Sequence, residues 1–332
     1  GKYATGSFNT FVGASAGLGG TTSAPYSSGQ YNVAIGTSAL AGFTTGHTNI
    51  AIGGNAGNEI NTGTYNLVVG QEAGSELKNG SHNVFLGHYA GYLVSGSRSV
   101  YVGYQAGGAE SEPVVHDQHN VAVGYKALMN GVLRAGGTTA IGTLAGYMAT
   151  GSNNTFVGHQ AGKGASAATT SGGNNTALGY NALTAFTSGY NNVMVGNYTG
   201  DAITTGESNT ALGYAALSDE DTGTRNTAIG NETLRYYNYD GAGYNVALGH
   251  RASYLRTTGV NNTMLGVSAG YGVSGQTTGY GNTGVGYSAL LGITSGNNNT
   301  AVGTNAGDAI TTTAGIVAIG LGAAGAISTT GD

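Results

Sequence analysis

The sequence predicts an all-β solenoid, and three observations carry that reading. Glycine supplies 64 of the 332 residues, while proline supplies 2. One short motif recurs 18 times, in phase along the whole chain. In all 18 copies the residue before the motif's anchor glycine is Val, Ile or Leu. Scarce proline removes a collagen helix, whose glycines need polyproline II partners. Disorder is removed by 39% hydrophobic residues with only 8% charged ones, because disordered chains are charged and poor in apolar side chains.

The anchors run from Gly13 and Gly36 to Gly303 and Gly320, and nine of the 17 intervals are 17 residues long. A clean copy reads Gly206-Glu207-Ser208-Asn209-Thr210-Ala211-Leu212-Gly213. The Val/Ile/Leu column alternates with one two residues earlier, as in Thr10, Val33, Ile50 and Leu67. Alternating positions share one face of a strand, so these two columns are expected to point inward. A second apolar column follows many anchors by seven residues: Phe43, Ile60, Leu77, Val94, Phe186, Ile203, Val273, Ile293 and Ile310. It is expected to close the core from another side.

Polar columns specify the turns. The position four before the anchor is Asn in 15 of 18 copies, and Gly stands three residues before it in 14. Gly-x-x-Asn is turn chemistry, since Gly supplies positive φ and Asn bonds local backbone. Stacked Asn can also form hydrogen-bonded ladders between coils. The position three after the anchor is Ala in 16 of 18 copies. So small a side chain implies close approach, either within the coil or against another chain. A strand of about five residues, a Gly bend, a second short strand and a Gly turn complete one coil. Short glycine-free stretches leave no room for a helix. Coils of this size bury their apolar face only by stacking. The expectation is one elongated domain over residues 1–332, of about 18 coils with a ~17-residue repeat, roughly 85 Å long at ~4.8 Å per coil.

Charge and composition exclude several function classes. The net charge is −5, with only 10 Lys and Arg, so the basic stripe needed for nucleic acid is missing. There is no Cys, which removes disulfides, thiolate metal sites and a Cys nucleophile. No apolar run in this sequence is long enough for a membrane-spanning helix.

The motifs Asn32-Val33-Ala34-Ile35-Gly36, Asn120-Val121-Ala122-Val123-Gly124, Asn226-Thr227-Ala228-Ile229-Gly230 and Asn299-Thr300-Ala301-Val302-Gly303 resemble the head repeats of YadA-like trimeric autotransporter adhesins. They resemble still more the related repeats of phage tail fibres and of bacterial surface fibres that end in an intramolecular chaperone domain. The resemblance covers nearly the whole chain. It implies a left-handed β-roll, a homotrimer around one axis, and an extracellular adhesive or spacer role at a cell surface or on a virion tail fibre. The repeat is longer than that of the usual adhesin head. No heptad stalk, anchor barrel or chaperone domain is recognisable, so the chain reads as the shaft or head section of a longer fibre.

Candidate chemistry is sparse. The densest titratable group is Glu110, Glu112, His116, Asp117 and His119; His-Asp-x-His can bind a divalent metal, but the bland reading is an exposed polar loop. Asp219-Glu220-Asp221 reads as a solvated turn. Gly158 to Gly164, with Lys163, superficially suggests a phosphate loop, but lacks the spacing and the following helix. No catalytic, cofactor or metal residue is assigned. Tyr follows the anchor at Tyr104, Tyr125, Tyr180, Tyr214 and Tyr287. This column reads as a packing ladder, or as rings that meet the sugar faces of a host glycan. Insertions at 17–31, 107–119, 162–174 and 235–244 are the expected places for binding, because variable loops on a regular scaffold carry function. The receptor-loop candidates are Tyr26, His116, Asp117, His119, Lys163, Tyr236, Tyr237 and Tyr239.

The resulting expectation is a non-enzymatic extracellular fibre segment, acting as stiff spacer and host-surface binding element for a cell-surface glycan or protein. A self-assembling filament is the first rival, since both termini are in phase with the repeat and uncapped. A polysaccharide-cleaving tailspike is another. Ice binding through a Thr ladder is set lower, because Thr interchanges with Val and Ile in a column expected to be buried.

Overall fold

The computed structural model describes residues 1–20, 26–109, 119–129, 136–166 and 170–325. The chain divides into two compact units, Gly1–Ser171 and Gly172–Asp332. Each is a parallel β-solenoid with a ~17-residue repeat. The first has nine three-residue strands, from Thr10–Val12 to Thr155–Val157; the second has nine, from Thr176–Leu178 to Val317–Ile319. Within a unit each strand pairs with the next, and equivalent residues stand opposite. Val33, Ala34 and Ile35 face Ile50, Ala51 and Ile52 in the first unit. Thr210, Ala211 and Leu212 face Thr227, Ala228 and Ile229 in the second. No helix occurs among the described residues.

The strands are shorter than expected, and no second named strand follows in the coil among the described residues. Left-handed backbone is the reason. Anchor Gly142 has φ +134°, and a Cβ there would lie 2.5 Å from the carbonyl oxygen of Gly158 in the next coil. Non-glycine residues then turn the chain again, as at Ser208 (φ 59°), Ala215 (φ 49°) and Leu217 (φ 54°). Such residues cost conformational energy, which coil-to-coil hydrogen bonds offset. Leu217 N donates to Thr233 O at 3.0 Å, and Thr204 N to Asp221 O at 2.7 Å.

The predicted strand face is inverted. The middle residue of each strand points inward: Ala34, Ala51, Val68, Ala211 and Ala228 are fully buried. The flanking Thr/Val and Val/Ile/Leu positions are half-buried or exposed. The interior is narrow, and its opposite wall is the Ala column, buried at Ala39, Ala56, Ala216 and Ala269. Close approach within the coil therefore explains that column. Thr199 and Thr233, its two exceptions, direct their hydroxyls to carbonyls of the following coil, Gly213 O at 2.6 Å and Gly249 O at 2.7 Å.

Interior volume is shared between two positions six residues apart. Where the strand's middle residue is large, glycine follows. A Cβ on Gly91 would lie 2.6 Å from the Phe85 ring, one on Gly107 2.5 Å from the Tyr101 ring, and one on Gly200 2.6 Å from Met194 Sδ. Where the middle residue is small, buried leucine can follow, as in Ala34 and Leu40, Ala122 and Leu128, or Ala211 and Leu217. Dense interiors allow bulk at either position but not at both. The column seven after the anchor closes the core as expected at Phe43, Ile60, Leu77, Val94, Phe186, Ile203, Ile293 and Ile310. Val273 departs from it and is exposed, whereas Thr277 is buried.

The Asn column forms the expected ladder. Asn49 Nδ2 and N both donate to Asn32 Oδ1, at 3.2 and 3.0 Å, and Nδ2 also reaches Gly63 O at 2.8 Å. Asn209 and Asn226 repeat the pattern in the second unit. A fully buried amide is thus satisfied, which removes its desolvation penalty.

Candidate interface and aromatic cleft

The inverted strands leave an apolar ribbon on the outside of each unit. In the first, Ile35, Ile50, Ile52 and Ile141 are exposed; in the second, Leu178, Val193, Val246 and Leu248 are, with Leu212 48% exposed. Ile35 with Ile50 and Ile52, and Leu178 with Val193 and Leu212, sit on adjacent, in-register strands. Half-buried aliphatic side chains of the same two columns continue the ribbon on the strands between the exposed positions, so it is not a scatter of single apolar residues.

Aromatic side chains line other positions. In the first unit Tyr104 stacks on Tyr125 with centroids 5.5 Å apart, and His88 stacks on Tyr89 at 4.1 Å. In the second, Tyr198 meets Tyr180 edge-on at 5.3 Å and Tyr214 at 6.1 Å. The expected ladder immediately after the anchor is therefore broken into patches, with Tyr198 entering from the next position.

Tyr198 and Tyr214 border a cavity of about 280 Å³ that is also lined by Asp201, Ala215, Ser218 and Arg235. Repeat register brings the polar groups together. Asp201, Ser218, Arg235, Tyr254 and Tyr271 each stand five residues after an anchor, so one coil adds one member. Ser218 Oγ donates to Asp201 Oδ1 at 2.6 Å. Burial raises the Asp201 carboxyl above the usual range, with the Ser218 hydrogen bond and Arg235 pulling the other way. Burial also raises Asp219. Arg235 is tied through Nη1 to Glu232, and Arg251 Nε reaches the same carboxylate at 2.7 Å. Burial opposes ionisation of Glu232, but the two arginines outweigh it and hold the carboxyl low. The guanidinium of Arg235 lies 5.4 Å from the Tyr236 ring, and that of Arg251 lies 5.1 Å from the Tyr254 ring.

A second polar group is enclosed. Glu220, Tyr237 and Arg256 take the otherwise apolar position seven after three successive anchors, and all three are fully buried. Glu220 is therefore not a solvated turn residue; its register turns the side chain into the coil. Oε1 accepts from Gly223 N at 2.5 Å and Thr222 N at 3.2 Å, and Oε2 from Tyr239 N at 3.4 Å. Burial nevertheless lifts its carboxyl to about 7. Arg256 Nη1 donates to Gly279 O at 2.8 Å, while its Nε and Nη2 have no hydrogen-bond partner among the described residues. Burial lowers that guanidinium to about 10.

The loop candidates separate. Tyr26 is exposed, stacks on Tyr3 at 6.4 Å and lines a shallow cavity with Lys2 and Thr5. His119 is exposed at φ 73°, and Lys163 is half-buried. Tyr236 is exposed and meets Tyr254 edge-on at 5.1 Å, and Tyr239 is half-buried. Tyr237 is a correction: it belongs to the core, because it occupies the inward register of its coil. His116 and Asp117 lie outside the described residues, as do Glu110 and Glu112. Tyr198, Asp201, Ser218 and Arg235 were not singled out by composition or motif; for Asp201, Ser218 and Arg235 the available signal was their common register, five residues after an anchor. Among the described residues no three His, Cys, Asp or Glu side chains converge as a metal site. Neither protein-family models nor curated proteins match the chain.

Proposed function

We propose that this chain is a non-enzymatic segment of an extracellular fibre, an adhesin head or tail-fibre shaft, that assembles as a homotrimer and carries host-surface binding elements. The observation that supports it is the outward apolar ribbon of in-register strands. Contiguous apolar surface of this kind favours association, and identical chains with identical ribbons associate most simply around a symmetry axis. This replaces the Ala column as the motive for assembly, since that column is spent within the coil. Parallel ladders and Asn stacks give each unit its stiffness. The resemblance of the Asn-x-Ala-x-Gly motifs to fibre repeats points the same way.

The test is light scattering of the chain and of Leu212→Glu combined with Leu248→Glu. The expected result is a trimer mass for the former and a monomer of unchanged β-sheet signal for the latter. A monomeric parent chain would overturn the assembly. A second reading gains from Thr210, which is exposed, and Thr227, Thr263 and Thr300, which are half-buried, since a Thr column expected to be buried lies on an outer sheet face. A monomer that shows thermal hysteresis would favour ice binding. Continuous filaments by electron microscopy would favour self-assembly.

A further inference from the structure

We propose that the cleft between Tyr198 and Tyr214 binds a neutral saccharide. The inference rests on the host-surface role proposed above and gives it a location and a ligand class. The two rings stand 80° apart with centroids separated by 6.1 Å, which makes a floor and a wall. Tyr214 is 48% exposed, so ring surface is open to a ligand. A pyranose has an apolar C–H face that packs on such a ring.

The polar groups complement a sugar's edge. Asp201 offers carboxylate oxygen, with Ser218 orienting it. Arg235, which lines the cavity, offers guanidinium N–H donors besides the one tied to Glu232. Both line the same cavity, yet no salt bridge joins them among the described residues. An acceptor and a donor that face one space without meeting are suited to a bridging group. Two adjacent hydroxyls meet that need, one donating to Asp201 and its neighbour accepting from Arg235. Glu232 holds the guanidinium in place, so little ordering is left for the binding step. The cavity, about 280 Å³, is at the small end for ligand sites and suits one sugar ring.

Charge selects the class. Asp201, Asp219 and Glu232 all interact electrostatically with Arg235, the cation that lines the cavity. A uronate or other acidic sugar therefore meets net repulsion, whereas a neutral one does not. The site also extends along the unit. Tyr236, Tyr254 and Tyr271 follow on successive coils, with centroids 5.1 Å apart at each step. Such a row can take further units of an extended oligosaccharide.

Titration calorimetry of the full chain with neutral gluco-, manno- and galacto-oligosaccharides, and with oligogalacturonate, tests the proposal. At least one neutral ligand should bind, and oligogalacturonate should bind more weakly. Tyr214→Ala and Asp201→Asn should each weaken binding about tenfold or more, while Tyr125→Ala in the first unit should leave it unchanged. Failure of every neutral ligand, preference for the acidic one, or parent-like binding by both cleft variants would overturn the assignment. Light scattering on the same samples keeps the two proposals apart. A trimer that does not bind removes the cleft alone, and a monomer that does bind removes the fibre assembly alone.

Discussion

The two units solve the same packing problem with different residues. In the first, aromatic rings stand at the middle of several strands, namely Phe11, Phe85, Tyr101 and Phe156, each followed six residues later by glycine. In the second, no aromatic takes that position; the middle residues are Ala, Met or Gly, and leucine returns the bulk at Leu183, Leu217, Leu234 and Leu290. The apolar column of the first unit, with Phe43, Ile60 and Leu77, is interrupted in the second by Glu220, Tyr237 and Arg256. Bulk thus occupies one of the two positions or, as with Ala51 and Gly57 or Ala301 and Gly307, neither, while its placement and polarity vary between the units. The second unit accepts a costly polar column, so it should be the more sensitive to pH and to charge removal.

The largest effect should come from breaking the volume exchange. Gly107→Ala puts a methyl group against the Tyr101 ring at a residue with φ +61°. It should cost about 4 kcal/mol by urea unfolding, from overpacking and left-handed strain together. Tyr101→Ala combined with Gly107→Leu should recover most of that loss, because it copies the arrangement of Ala122 and Leu128 in the next coil. A double variant as unstable as Gly107→Ala would break the rule.

Next in size is the pH response of Glu220. Its carboxyl sits at about 7 when folded, against an ordinary value of 4.5, so the folded chain holds a proton that the unfolded chain releases between those values. The stability this provides is complete below pH 4.5 and is lost as pH rises through about 7. The difference corresponds to about 3 kcal/mol. Amide exchange read separately in the two units should show the second losing protection over that window, and Glu220→Gln should remove the response. Equal pH dependence in both units would contradict the comparison.

A smaller effect is expected at Arg256. Replacing a buried charge that lacks a counter-ion with an apolar side chain of similar length is often stabilising. Arg256→Met should raise the stability of the second unit by about 2 kcal/mol in thermal unfolding. A marked loss would mean that the guanidinium makes interactions that outweigh its desolvation.

Much of the coil was legible from the residues alone. The spacing of anchors such as Gly196, Gly213 and Gly230 correctly predicts stacked coils with a strand ahead of each anchor, but not the absence of a second named strand among the described residues; Gly-x-x-Asn correctly predicts a turn with an amide ladder. The cleft was much less legible. Asp201, Ser218 and Arg235 are 17 residues apart in sequence and form no local motif; only stacking makes them neighbours. Tyr237 misled for a related reason: its loop is Tyr-rich, but its register is an interior one.

Periodicity by itself determined that successive repeats stack, because like residues recur at one interval and a single coil cannot bury its own apolar side. It did not decide which side of the strand is inside. Alternation defines two faces equally well, and the larger aliphatic residues suggested the wrong one. Tertiary structure settled the choice through space: Ala211 and Leu217 share the buried interior of their coil, while Thr210 and Leu212 remain outside.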